Sequence, residues 1–106
     1  MTSFEEHLAA YLKHLEAKGY AQGTCNWHAC YLRNFNNWLT GNQVLDPKRV
    51  TAEMVNSYRL YLKEQYVSRR KKPIAESTYE SFNAAVSSFY KWMEKAGYIL
   101  LNPALR

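Results

Sequence analysis

Apolar residues recur along this chain at intervals of three and four, and nowhere do they alternate with polar ones over a strand-length stretch. Four segments carry the pattern. Phe4, Leu8, Tyr11, Leu12 and Leu15 share one face of a first helix that starts at Ser3. Glu6 completes a capping box with Ser3, and Gly19 supplies the stop. A short turn over residues 20–23 leads to a second helix capped by Thr24, with His28, Tyr31, Leu32, Phe35, Trp38 and Leu39 facing inward. The third helix follows the DPKRV stretch. Thr51 is its cap, Glu53 complements its dipole, and Met54, Val55, Tyr58, Tyr61 and Leu62 form its apolar face. Pro73 discourages helix just before it, and Ser77 with Glu80 makes a second capping box at the head of the fourth helix. There Tyr79, Phe82, Val86, Phe89 and Met93 mark the core side and Gly97 the end. Residues 98–106 read as an exit segment. The expectation is one all-α domain of four helices over residues 1–106.

Composition supports a true core. Of 106 residues, 47% are hydrophobic and 15% aromatic, enough to fold without disulfides or metals. No apolar run approaches the roughly 20 residues that span a bilayer. The first 18 residues are acidic and amphipathic, unlike a signal peptide, which places the expected protein in the cytoplasm. Cys25 and Cys30 are five positions apart, about 140° around a helix, so they neither pair nor share a metal. No metal and no cofactor is expected.

Charge changes the picture. The net charge is +5, and it is uneven: residues 48–72 hold eight cations against Glu53 and Glu64, while the first helix is slightly acidic. Such a skew points to a polyanion, most simply nucleic acid. A membrane partner is not expected, because no helix is both amphipathic and cationic.

The faces turned away from the core fit this. On the fourth helix they carry Ser77, Ser81, Ala84, Ser88, Lys91 and Lys95. On the second they carry Asn26, Ala29, Cys30, Arg33 and Asn37. Small hydroxyls let a helix backbone approach a grooved partner, and Asn and Arg can hydrogen-bond phosphates or base edges. Arg69, Arg70, Lys71 and Lys72 stand just upstream of a helix N-terminus, where the dipole favours an anion, although Glu76 and Glu80 oppose it. Each feature alone is equally a plain solvated surface.

Three stretches carry a family likeness: GTCNWHACYLRNFNNWL (23–39), VTAEMVNSYRLYL (50–62) and STYESFNAAVSSFYKWMEKAGYILLNPA (77–104). In that order they resemble the N-terminal core-binding domain of tyrosine recombinases, the lambda-integrase and Xer-like family. The resemblance implies a SAM-like fold, two helical hairpins packed at a steep angle. It also implies one jaw of a C-shaped clamp on duplex DNA, with the second and fourth helices toward the major groove. Contacts would then come from Asn26, Arg33, Asn37, Ser77, Thr78, Ser81, Ser88 and Lys91, with Arg69, Arg70, Lys71 and Lys72 as phosphate anchors. Further partners would be a C-terminal catalytic domain of the same full-length protein, reached through a linker starting at about 98–106, and other recombinase subunits on DNA. The chain departs from the family at His28, where Tyr is usual, and at Glu80 and Ser81, where basic or amide residues are common. His28 is read as a packed core residue.

No catalysis is expected of the chain alone. It lacks the His-x-x-Arg pattern of the recombinase catalytic domain, and its three histidines are scattered. Tyr11, Tyr31, Tyr58 and Tyr79 fall on core stripes rather than in an activating cluster. Two other readings compete: a helix-turn-helix DNA-binding regulator, and a small helical protein-interaction module using Trp27 and Trp92.

Overall fold

The computed structural model describes residues 3–44, 46–64, 75–100 and 102–103, with Ser3 by its backbone alone. Four α-helices, α1 (Ser3–Ala17), α2 (Gln22–Gly41), α3 (Ala52–Glu64) and α4 (Glu76–Lys95), are joined by one 3₁₀ turn at Pro47–Arg49. No strand occurs among the described residues. The all-α reading holds, with corrections at the helix starts.

Thr51 does cap α3, its Oγ1 accepting the Met54 N–H at 3.2 Å. The other two starts differ. α2 begins at Gln22 behind Ala21, and α4 at Glu76 behind Ala75, neither with a side-chain cap bond. Thr24 therefore sits inside the first turn of α2. Ser77 and Glu80 form no capping box; the Ser77 carbonyl instead accepts the Ser81 hydroxyl at 3.0 Å. Extended backbone at both alanines lets each helix start one or two residues before the expected cap, leaving its first N–H groups to solvent. The 3₁₀ turn was not anticipated. Asp46 caps it by accepting the Lys48 N–H at 3.0 Å, with Pro47 at the position where a missing donor costs nothing.

Three helices end alike. The Tyr20 N–H reaches the Leu15 carbonyl and the Gly19 N–H that of Glu16; Tyr98 with Met93, and Gly97 with Glu94, repeat the pattern. Both glycines sit at φ +86°, the left-handed backbone the motif needs. α2 uses the same bonds, Val44 to Leu39 and Gln43 to Thr40, but places Gln43 at φ 65°.

The core is aromatic and draws on all four helices. Phe4 lies 5.2 Å from Phe89 and 6.0 Å from Phe35, centroid to centroid. Phe35 meets Tyr58 at 4.8 Å, and Phe89 meets Tyr11 at 5.5 Å. Beyond α4 the chain packs once more: Asn102 is 6% exposed, its N–H bonds the Glu94 carboxylate at 2.7 Å, and its Nδ2 donates to the Ser87 carbonyl at 3.3 Å.

Phe89→Ala removes the ring shared by α1 and α4 and should cost about 3–5 kcal/mol in urea unfolding. Gln43→Gly relieves the left-handed non-glycine residue and should raise stability by about 1 kcal/mol in the same assay; no gain would mean that Gln43 is not strained.

Candidate nucleic-acid interface

The outer face of α2 borders an open groove of about 620 Å³ that α4 closes on the other side. Asn26, Arg33 and Asn37 line it from α2 and Thr78 and Phe82 from α4. Four of the expected contact residues thus come together. Cys30 and Asn34 join them. Ala29, expected on this outer face, is a correction: it lines the groove but is only 6% exposed, because it packs where α2 turns toward its neighbours.

Two amides in the groove accept hydrogen bonds from other side chains. Gln22 Nε2 donates to Asn26 Oδ1 at 3.0 Å, and the buried Tyr58 donates its hydroxyl to Asn34 Oδ1 at 2.9 Å. Arg59 makes a comparable bond to Asn83 Oδ1 at 3.1 Å, tying α3 to α4.

Ser88 and Lys91 border a second concavity, a pocket of about 300 Å³ along the C-terminal half of α4. Lys18 from the end of α1 and Lys95 from α4 join Lys91 at its wall, and no acidic residue among the described ones lines it. Its floor includes Tyr11 and His28, with the Tyr11 oxygen 3.4 Å from His28 Nδ1. On α2, His28 lies roughly opposite Asn26, Arg33 and Asn37, so pocket and groove use different sides of that helix. Ser77 is exposed and Ser81 half-buried, and neither lines either concavity. Arg69, Arg70, Lys71 and Lys72 lie outside the described residues.

Sequence reasoning passed over Asn34, Lys18 and Lys95 as contacts. Asn34 is two helical turns beyond Asn26 and could have been placed beside it on the wheel. Lys18 could not: only the packing of α1 brings it to α4.

Tyr11 and Tyr90 are held away from the phenolate form. Burial pushes the Tyr11 hydroxyl up to about 12, with the Ser88 hydrogen bond only partly offsetting it. Burial also raises Tyr90, whose hydroxyl donates to the Pro47 carbonyl at 3.0 Å. His28 is buried on the core face as expected. Among the described residues no His, Cys, Asp or Glu cluster could hold a metal, both cysteines are free thiols, and no helix is long and apolar enough to cross a membrane.

The family model described as phage integrase, N-terminal SAM-like domain, matches residues 8–97, nearly the whole chain. The chain belongs to this family. This phage-integrase domain is the non-catalytic part of integrases, and no catalytic domain lies within the 106 residues. It is the core-binding domain that the three sequence stretches resemble, and the four-helix SAM-like fold agrees with it. No curated protein and no solved structure matches the chain.

Burial lowers the His28 pKa below its usual 6.5. The unfolded chain therefore binds this proton more readily than the folded one, and stability falls as pH drops below about 6.5. The expected result is a melting temperature that declines with acidification through that window, with an NMR titration placing the His28 ring below 6.5. A His28 titrating at or above 6.5 would show that its burial carries no such penalty.

Proposed function

We propose that this domain binds duplex DNA in a sequence-dependent way, as the N-terminal clamp half of a tyrosine recombinase acting in DNA integration and recombination. One observation carries the reading. Asn26, Arg33 and Asn37, chosen from sequence as the polar face of α2, line one groove with Thr78 of α4, and among the described residues no acidic side chain lines that groove. Integrase membership supplies the substrate class.

On this reading the groove meets base edges while the lysine pocket holds a backbone phosphate. Lys18, Lys91 and Lys95 supply the charge there. Among the described residues the groove has one cation, Arg33, whose fork suits guanine or phosphate. Arg69, Arg70, Lys71 and Lys72 add charge as phosphate anchors, and Ser77 and Ser81 flank the contact surface. The segment held by Asn102 begins the path to a catalytic domain, so the hydrogen bonds to Glu94 and Ser87 fix the direction in which it leaves α4. That catalytic domain and neighbouring recombinase subunits are the proposed protein partners. Closing the second half of the clamp would supply much of the affinity.

An amide-shift NMR titration with duplex DNA at low salt tests the reading. Shifts should concentrate on the outer face of α2, on Thr78 and on the Lys91 to Lys95 turn. Arg33→Ala and Lys91→Ala should each weaken binding and flatten its dependence on log salt by about one unit. Shifts confined to one helix would favour a helix-turn-helix regulator instead. Unmoved amides would leave a protein-interaction module.

A further inference from the structure

Two tyrosines take the same place at two helix ends. Tyr20 follows Gly19 after α1 and Tyr98 follows Gly97 after α4, each donating its N–H back to a carbonyl of its helix. A side chain at this position ordinarily packs on the last turn of its own helix. Tyr98 also finds ring partners, His7 at 4.8 Å and Trp92 at 5.6 Å. Tyr20 meets no aromatic ring among the described residues; it lines the lysine pocket and stays 51% exposed.

Around this ring the pocket is cationic. Lys18 and Lys95 stand at the ends of α1 and α4, where part of their charge answers the negative end of each helix dipole. Lys91 lies one turn farther back along α4 and adds to the surplus. Half-buried Trp92 and His14 give the wall more ring surface. Its volume of about 300 Å³ is at the lower end of what small-molecule sites enclose, which leaves room for more than a phosphate group.

We propose that the lysine pocket takes one unpaired nucleotide, its base against the Tyr20 ring and its phosphates on Lys18, Lys91 and Lys95. The inference rests on the DNA-binding reading of this pocket and adds that the strand held there is single. Duplex keeps its bases stacked inside, so its backbone would use the lysines and leave the ring idle. An unpaired base uses both, and any base serves, because stacking asks only for a π face. The pocket and the α2 groove lie on different sides of α2. One copy would then hold duplex at the groove and a frayed end or displaced strand at the pocket.

The test compares two labelled oligonucleotides of about six nucleotides and equal charge, one all thymine and one abasic, by fluorescence anisotropy with the whole chain at low salt. The thymine strand should bind roughly fivefold more tightly, the low end of what one stacked base contributes. Tyr20→Ala should bring the thymine strand to the abasic level and leave the abasic strand unchanged, whereas Tyr20→Phe keeps the preference. Lys91→Ala should weaken both strands alike. Equal affinity of the unaltered chain for the two strands overturns the inference and leaves the duplex reading standing. So does a thymine preference that survives Tyr20→Ala, or failure of both strands to bind where duplex does bind. Failure of strands and duplex together overturns both.

Discussion

Phe35 and Phe89 are the rings on which this domain depends. Phe4 contacts both from α1, Tyr58 reaches Phe35 from α3, and Tyr90 lies against both from α4. No two of the helices could bury these side chains alone, and about 106 residues offer little apolar area to spare. Using large rings solves this. A few of them fill the space between four helices, and edge-to-face geometry adds to what burial alone contributes.

An aromatic core rich in tyrosine has a second consequence. Each buried hydroxyl must find a partner or cost its desolvation. Tyr90 finds the Pro47 carbonyl, which ties α4 to the 3₁₀ turn; Tyr58 finds Asn34, which lies in the surface groove. Tyr11 meets His28 and Ser88 beneath the lysine pocket. The core thereby reaches out and orients polar groups that would otherwise rotate freely. A phenylalanine in any of these places would keep the packing and lose the orientation.

The sequence showed much of the fold and less of the surface. Period-three-and-four spacing located all four helices, because apolar side chains must face inward whatever else a helix does. Gly19 and Gly97 marked two ends correctly, since left-handed backbone is cheap for glycine and both residues adopt it. Helix starts were less legible. Ser77 and Thr24 have cap chemistry, but the helices begin before them at alanines, where nothing in the side chain announces a start. The α2 side of the groove was readable from the wheel, Ala29 excepted. The pocket was not, because Lys18 reaches it only through the angle at which α1 packs, and no local pattern encodes that angle. The Asn34 orientation depends on a hydroxyl 24 residues away.

These differences bear on how affinity and selectivity could be divided in such a small domain. On the proposed reading, a net charge of +5 attracts any duplex, and lysines on flexible stems would hold phosphates without regard to sequence. Discrimination needs groups whose donors and acceptors cannot swap places. The α2 groove has these where the core or a neighbouring side chain constrains them, and the pocket has charge where little constrains it. A surface substitution among the lysines should therefore alter binding strength across all sequences. On that reading the core bears on the groove indirectly, because a buried ring that carries a hydroxyl holds one of its amides.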